Sequence, residues 1–132
     1  MFNHVMVGSS DIEASKRFYD AVFGALGFTG EAMRNVTPSG KTRLFYIHNG
    51  NTFGISEPIN GEPVTYANGA TIGFKCDSPE QVKAFHDAGV AAGGTSVEDP
   101  PGLREGGSLG PMHLSYLRDP DGNKLCGIHR VG

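Results

Sequence analysis

The sequence predicts an α+β fold made of two βαβββ modules in one chain. Three observations lead there. Short apolar stretches bounded by turn formers alternate with two amphipathic helical stretches, each opened by a capping residue. The two helical stretches match one another at a constant offset. Three further strand-like stretches follow each helix.

In order, FNHVMVG (residues 2–8) is short, apolar and closed by a turn former, and reads as a strand. Asp11 can accept from the freed amides of the next turn and so cap a helix. Ile12, Ser15, Tyr19, Val22 and Leu26 recur at steps of three and four, forming one face of that helix, and Gly27 stops it. Strand-like stretches follow at about 28–36, at KTRLFYIHN and at NTFGISE, with Ser39-Gly40 and Asn49-Gly50-Asn51 supplying the turns.

The second half repeats the plan. ATIGFKC is the strand, Ser78 the cap, Pro79 the first helical position, and Gln81 completes a capping box. Val82, Phe85, Gly89 and Ala92 make the buried face, and Gly93-Gly94 ends it. His86 matches Tyr19 and reads as a helix surface or edge residue. Stretches at about 94–98, MHLSYLR and NKLCGIH come next. The last two are joined by Asp119-Pro120-Asp121-Gly122, with the residue order of a type I turn.

Setting Phe18 on Phe85 gives an offset of 85 − 18 = 67. The same offset puts Asp11 on Ser78, Lys16 on Lys83 and Asp20 on Asp87. One register aligns cap, face and end, as an internal duplication would. One such module cannot cover both faces of its sheet, so two should pair around a shared core. The expected organisation is a single domain over 1–132, with module one at about 1–60 and module two at about 68–132.

Bulk properties exclude several classes. A length of 132 residues suits one domain with a real core. The formal charge of −3, with no cluster of lysine and arginine, argues against a nucleic-acid binder. Apolar runs are short and no basic-then-apolar leader opens the chain, so neither membrane span nor secretory signal is expected. Cys76 and Cys126 are too few for a disulfide framework and lack metal-finger spacing, which fits a cytoplasmic protein with reduced thiols.

HVMVGSSDIEASKRFY near the start, NGATIGFKCDSPEQVKAFHDAGVAAGG followed by PPGLR, and LRDPDGNKL near the end sit on these paired modules. Together they resemble the vicinal oxygen chelate superfamily, which includes glyoxalase I, extradiol dioxygenases, and fosfomycin and bleomycin resistance proteins. The resemblance spans nearly the whole chain. It implies curved mixed sheets around a cleft, with helices on the outer face, and a homodimer. In that superfamily a divalent metal often sits in the cleft, held by one residue from the first and one from the last strand of each module.

Carried over position by position, the resemblance puts His4 at the first ligand place, where imidazole suits Zn, Ni, Mn or Fe. Glu57, in FGISEP, is the donor nearest the second, and Ser56 faces the opposite side. The register brings His4 onto Thr71, where metal-binding relatives usually carry His, and Cys126 stands where they usually carry Glu. A threonine hydroxyl is a poor ligand for a soft transition metal, and cysteine binds as thiolate, which favours zinc. Cys126 is therefore read as a pocket-wall residue at a former ligand position. A His4, Glu57 and Cys126 zinc site and a Cys126 nucleophile activated by His4 or His113 stand as alternatives.

Further candidates come from the residues themselves. His113, in PMHLSYL, is either a general acid or base or a strand residue at the sheet rim. Arg43, alternating with Phe45 and Ile47, offers a bidentate anion site if its face is inward. The long Gly/Pro-rich segment 98–111 reads as a flexible lid with Arg104 as an anion contact. His48 and His129 read as solvent or interface residues.

The function expected is binding of a small apolar or aromatic molecule in the cleft, without a metal cofactor because the ligand set is incomplete. The rival is a metal-dependent lyase, isomerase or dioxygenase of the glyoxalase type, using Zn, Ni, Mn or Fe on a vicinal-oxygen substrate, with Glu57 as ligand and base.

Overall fold

Asp11 and Ser78 cap the helices as their side chains predict, accepting from the amides of Ala14 and Gln81 respectively. Gln81 closes the capping box by accepting from the Asp77 amide. The computed structural model describes residues 1–131. Module one runs β1 (Val5–Gly8), α1 (Ile12–Ala25), β2 (Met33–Val36), β3 (Thr42–His48) and β4 (Asn51–Ser56). Module two runs β5 (Ile72–Lys75), α2 (Pro79–Ala91), β6 (Thr95–Ser96), β7 (Gly102–Arg104), β8 (Met112–Arg118) and β9 (Lys124–Arg130).

The offset of 67 relates β1 to β5 residue for residue, since 72 − 5 and 75 − 8 both equal 67. It also relates two ion pairs of the same spacing, Lys16–Asp20 and Lys83–Asp87. The sheets have matching orders, β1-β4-β3-β2 and β5-β9-β8-β6. In both, the first strand runs parallel to the last, which is antiparallel to its other neighbour. The fold is the α+β arrangement of two βαβββ modules, with open sheets of four and five strands.

The fifth strand of module two's sheet departs from expectation. Segment 98–111 is not a free lid: Gly102–Arg104 pairs antiparallel with β8, and Gly107–Leu109 forms a turn of 3-10 helix. Eight prolines and twenty glycines across the chain hid a three-residue strand flanked by both residue types.

Each helix covers one face of its own sheet, and the two helices meet. Phe18, Tyr19, Val22 and Phe85 are wholly or almost wholly buried there, with Leu44, Ile55, Leu117 and Leu125 from the sheets. Phe74 of β5 lies 5.4 Å from Phe23 and 5.6 Å from Phe53, so aromatic contacts cross from one module to the other. Where the helices cross, Gly89 fits against Val22, its counterpart at the same offset: a Cβ on Gly89 would lie 2.8 Å from Val22 and 3.1 Å from Phe18. His86 is 7% exposed, not a surface residue. It occupies the place of buried Tyr19, and side chains that bond both its ring nitrogens satisfy it there. No helix among the described residues is long and apolar enough to cross a membrane.

Candidate functional site

Strand alternation sorts the side chains of each sheet onto a helix side and an averted side. In module one, Leu44, Tyr46, Phe53 and Ile55 face α1. Their neighbours Met6, Gly8, Arg43, Phe45, Gly54 and Ser56 therefore share the averted side, and His4 continues the row of Met6. In module two, Ser115 donates to the Val82 carbonyl of α2, which fixes the helix side, and Leu117 and Leu125 are buried with it. Tyr116, Cys126, Gly73 and Arg104 then share the averted side, with Thr71 continuing the row of Gly73.

Five of the residues singled out in the sequence, His4, Arg43, Thr71, Arg104 and Cys126, thus lie on the averted sides. His113 does not. It is on the helix side, two residues before Ser115 and opposite His129, whose Nδ1 lies 3.0 Å from the Cys76 carbonyl oxygen. Glu57 follows the end of β4, and its carboxylate accepts from the Thr42 amide at 2.7 Å. His48 sits at the β3–β4 turn beside Asn49, with Phe28 edge-on to its ring.

Register identifies the true counterpart of Cys126. Met6 pairs with Gly54 and Phe45 pairs with Gly54 from the other side. Gly73 lies 67 residues after Met6 (73 − 6) and pairs with Cys126, which pairs in turn with Tyr116. The equivalent rows are therefore Met6–Gly54–Phe45 and Gly73–Cys126–Tyr116. Gly54, not Glu57, holds the fourth-strand place in module one. A Cβ there would lie 2.9 Å from Met6 Cγ and 3.2 Å from Phe45 Cε1, so these two side chains already cover the position.

The residues do not fit a chelated metal. Gly54 has no donor and Thr71 offers a neutral hydroxyl, so two of the four ligand places lack a good transition-metal ligand. Within one chain, no three His, Cys, Asp or Glu side chains among the described residues gather closely enough to share an ion. Both cysteines are free and buried. Burial pushes the Cys126 thiol up, against the opposing charges of Lys124 and Arg104 nearby, and pushes Cys76 up to about 11. Burial thus disfavours the thiolate of both, which works against either acting as a nucleophile.

The polar groups of the averted side are arranged in two places. On module two, Lys124 pairs with Glu98 and stands 4.8 Å from the Tyr116 ring centroid. Arg104 donates to the carbonyls of Asp99 and Pro100. On module one, Arg43 and Glu57 line a hollow of about 390 Å³ between the sheet and segment 57–65, with Met6, Ser56, Ile59 and Val64. Arg43 also donates to Asn35 and lies 5.7 Å from the Phe45 ring. Apolar surface adjoins this: Met33 and Ile47 are 56% and 54% exposed on the same face.

This chain belongs to the Glyoxalase/Bleomycin resistance protein/Dioxygenase superfamily, whose family model matches residues 1–126. Among solved structures, a glyoxalase/bleomycin resistance protein from Albidiferax ferrireducens T118 is 55% identical, with a TM-score of 0.88 over 98% of this chain and 99% of that one. The fold alone is shared with a glyoxalase family protein from Enterococcus faecalis, at 22% identity and a TM-score of 0.68 over 98% and 97% of the chains. It is also shared with the fosfomycin resistance protein FosX from Listeria monocytogenes, at 17% identity and a TM-score of 0.70 over 100% and 92%. No curated protein matches the chain.

Proposed function

We propose that this protein binds a small aromatic or apolar molecule carrying an anionic group, on the averted sides of its sheets, without a chelated metal. The observation that carries this reading is the pair of equivalent rows, Met6–Gly54–Phe45 and Gly73–Cys126–Tyr116. Where a chelating member of the superfamily would set carboxylates, these rows set a glycine and a neutral thiol between a methionine, a phenylalanine and a tyrosine. Such surfaces favour flat apolar groups. Arg43 and Arg104, on the same sides, supply guanidinium groups for the anionic end.

The cleft is completed by a second copy of the chain. Each averted side is an open sheet face with exposed Met33 and Ile47 on one of them, and apolar surface of that kind is normally covered. The two free cysteines fit a reducing, cytoplasmic setting.

The test is thermal unfolding of the purified protein against a panel of aromatic acids, phenols and neutral aromatics. A ligand at a hundred times its dissociation constant adds about 2.7 kcal/mol, enough for a clear rise in Tm. The aromatic acids should raise the Tm, and Arg104→Ala and Arg43→Ala should weaken the effect. No shift from any aromatic compound at millimolar concentration contradicts the proposal.

A further inference from the structure

On the helix side of module two, away from the cleft faces, three side chains form a hydrogen-bonded chain. His86 Nε2 lies 2.8 Å from Ser96 Oγ, and His86 Nδ1 lies 2.9 Å from Asp87 Oδ1. The histidine is on α2, one residue before the aspartate, and the serine is on edge strand β6. A buried histidine needs both nitrogens satisfied, and this arrangement does that. It does more, because the proton order is forced.

Asp87 is held below the usual carboxylate range by its bond from Lys83 at 2.5 Å and by His86, so it is ionised and accepts only. Nδ1 of His86 must therefore carry the proton. In the neutral ring Nε2 is then the acceptor, and the Ser96 hydroxyl must donate to it. That is the tautomer in which an imidazole takes a proton from a serine.

Ser96 is an exposed residue while His86 behind it is buried, so the serine is the member of the pair that lies at the surface. The backbone supports the same direction. Thr95 pairs with Arg118, and the Val97 amide donates to the Tyr116 carbonyl. Ladder bonds alternate in an antiparallel pair, so the Ser96 N–H points away from β8 at the sheet edge. It has no strand partner among the described residues and can donate to an oxygen on the atom that Ser96 attacks. Val90, one helical turn beyond His86 and 38% exposed, gives apolar surface beside the pair.

We propose that Ser96, with His86 as general base and Asp87 as positioning residue, is a nucleophile toward small activated esters. Ser96 Oγ forms a bond to the ester carbonyl carbon as its proton passes to His86 Nε2, the C–O bond to the leaving phenolate breaks, and His86 gives that proton to the phenolate. Water then attacks the acyl-serine carbonyl as one of its protons passes to the neutral His86 Nε2, the bond from the acyl carbon to Ser96 Oγ breaks, and His86 returns the proton to the serine oxygen. The balance is ester plus water to carboxylic acid plus phenol. A single oxyanion donor and an exposed carboxylate make this a slow reaction restricted to good leaving groups.

The experiment treats the full chain with an alkyl fluorophosphonate, which the serine attacks with loss of fluoride, and with 4-nitrophenyl acetate. Peptide mass spectrometry should find the phosphonyl group on Ser96, and ester hydrolysis should show a burst. Ser96→Ala should abolish both. Asp87→Asn, at an exposed site with little risk to folding, donates its amide to Nδ1 and reverses the tautomer. It should slow the inactivation rate constant about a hundredfold or more with the half-saturating concentration unchanged, and Asp87→Glu should restore much of it. Absence of label on Ser96, or a labelling rate indifferent to Asp87→Asn, overturns the proposal.

Discussion

At the scale of single residues, one atom type per position decides what the averted sides can do. Cys126 is 5% exposed and its thiol is pushed up by burial, as is that of Cys76. Since only thiolate reacts, alkylation by iodoacetamide at pH 7.5 should run at least about tenfold slower for both than for a free cysteine. Both should react fully once the chain is unfolded. Mass spectrometry over a time course checks this, and rapid native labelling of Cys126 would return it to the list of nucleophiles.

The ligand places show how much of the site was legible beforehand. His4 and Cys126 stand out through the resemblance of the first and last strands to the superfamily, and Thr71 follows from His4 by the offset of 67, which β1 and β5 keep. Glu57 follows the end of β4, and the strand pairing, which sets Gly54 between Met6 and Phe45, shows which residue holds the fourth-strand place. The needed signal was present in the turns. Gly50 and Gly122 both close β-turns with φ of 79° and 92°, and each stands four residues before its fourth-strand place (54 − 50 and 126 − 122). His113 was undecided since nothing local marks which side of a strand is inward. Only the Ser115 bond to α2 fixes it.

At the scale of elements, the helix crossing and the β8–β9 turn hold the modules together. Gly89→Ala should gain about 1 kcal/mol of helix propensity. It should lose more, about 1–3 kcal/mol, because the added methyl meets Val22, Phe18 and Leu117 in a packed core. Net destabilisation in urea is the expected result. The turn contributes differently. Asp119, 3% exposed, accepts from Tyr19 Oη at 2.5 Å, from the amides of Asp121 and Asn123, and from Asn123 Nδ2. Asp121 accepts from Ser10, and Asn123 donates to the Gly8 carbonyl, so the turn of one module clasps the other. Tyr19→Phe leaves Asp119 with its remaining donors and should cost about 1.5–3 kcal/mol, measured by denaturant unfolding. Turn chemistry predicted the bend from DPDGN, but the clasp spans about a hundred residues of sequence and no local pattern carries it.

At the scale of the whole molecule, duplication makes two surfaces from one plan and leaves them unlike. The core is shared between modules, so the averted sides are the faces left for other molecules. Sedimentation or light scattering should give twice the chain mass, and Ile47→Asp, a charge on the exposed sheet face, should shift the population toward monomer without lowering the helix content. The equivalence of the modules was legible because caps and helix faces repeat. The divergence of the two averted rows was not, since it lies in strand pairing.

The central claim is that the chelating set of this superfamily has been dismantled in this chain. Elemental analysis of the purified protein, alongside His4→Ala, tests it most directly. The account predicts well under about 0.1 divalent transition metal ions per chain, unchanged by the substitution, since one imidazole without carboxylate partners does not hold an ion. One ion per chain in the parent protein, lost in His4→Ala, would contradict it.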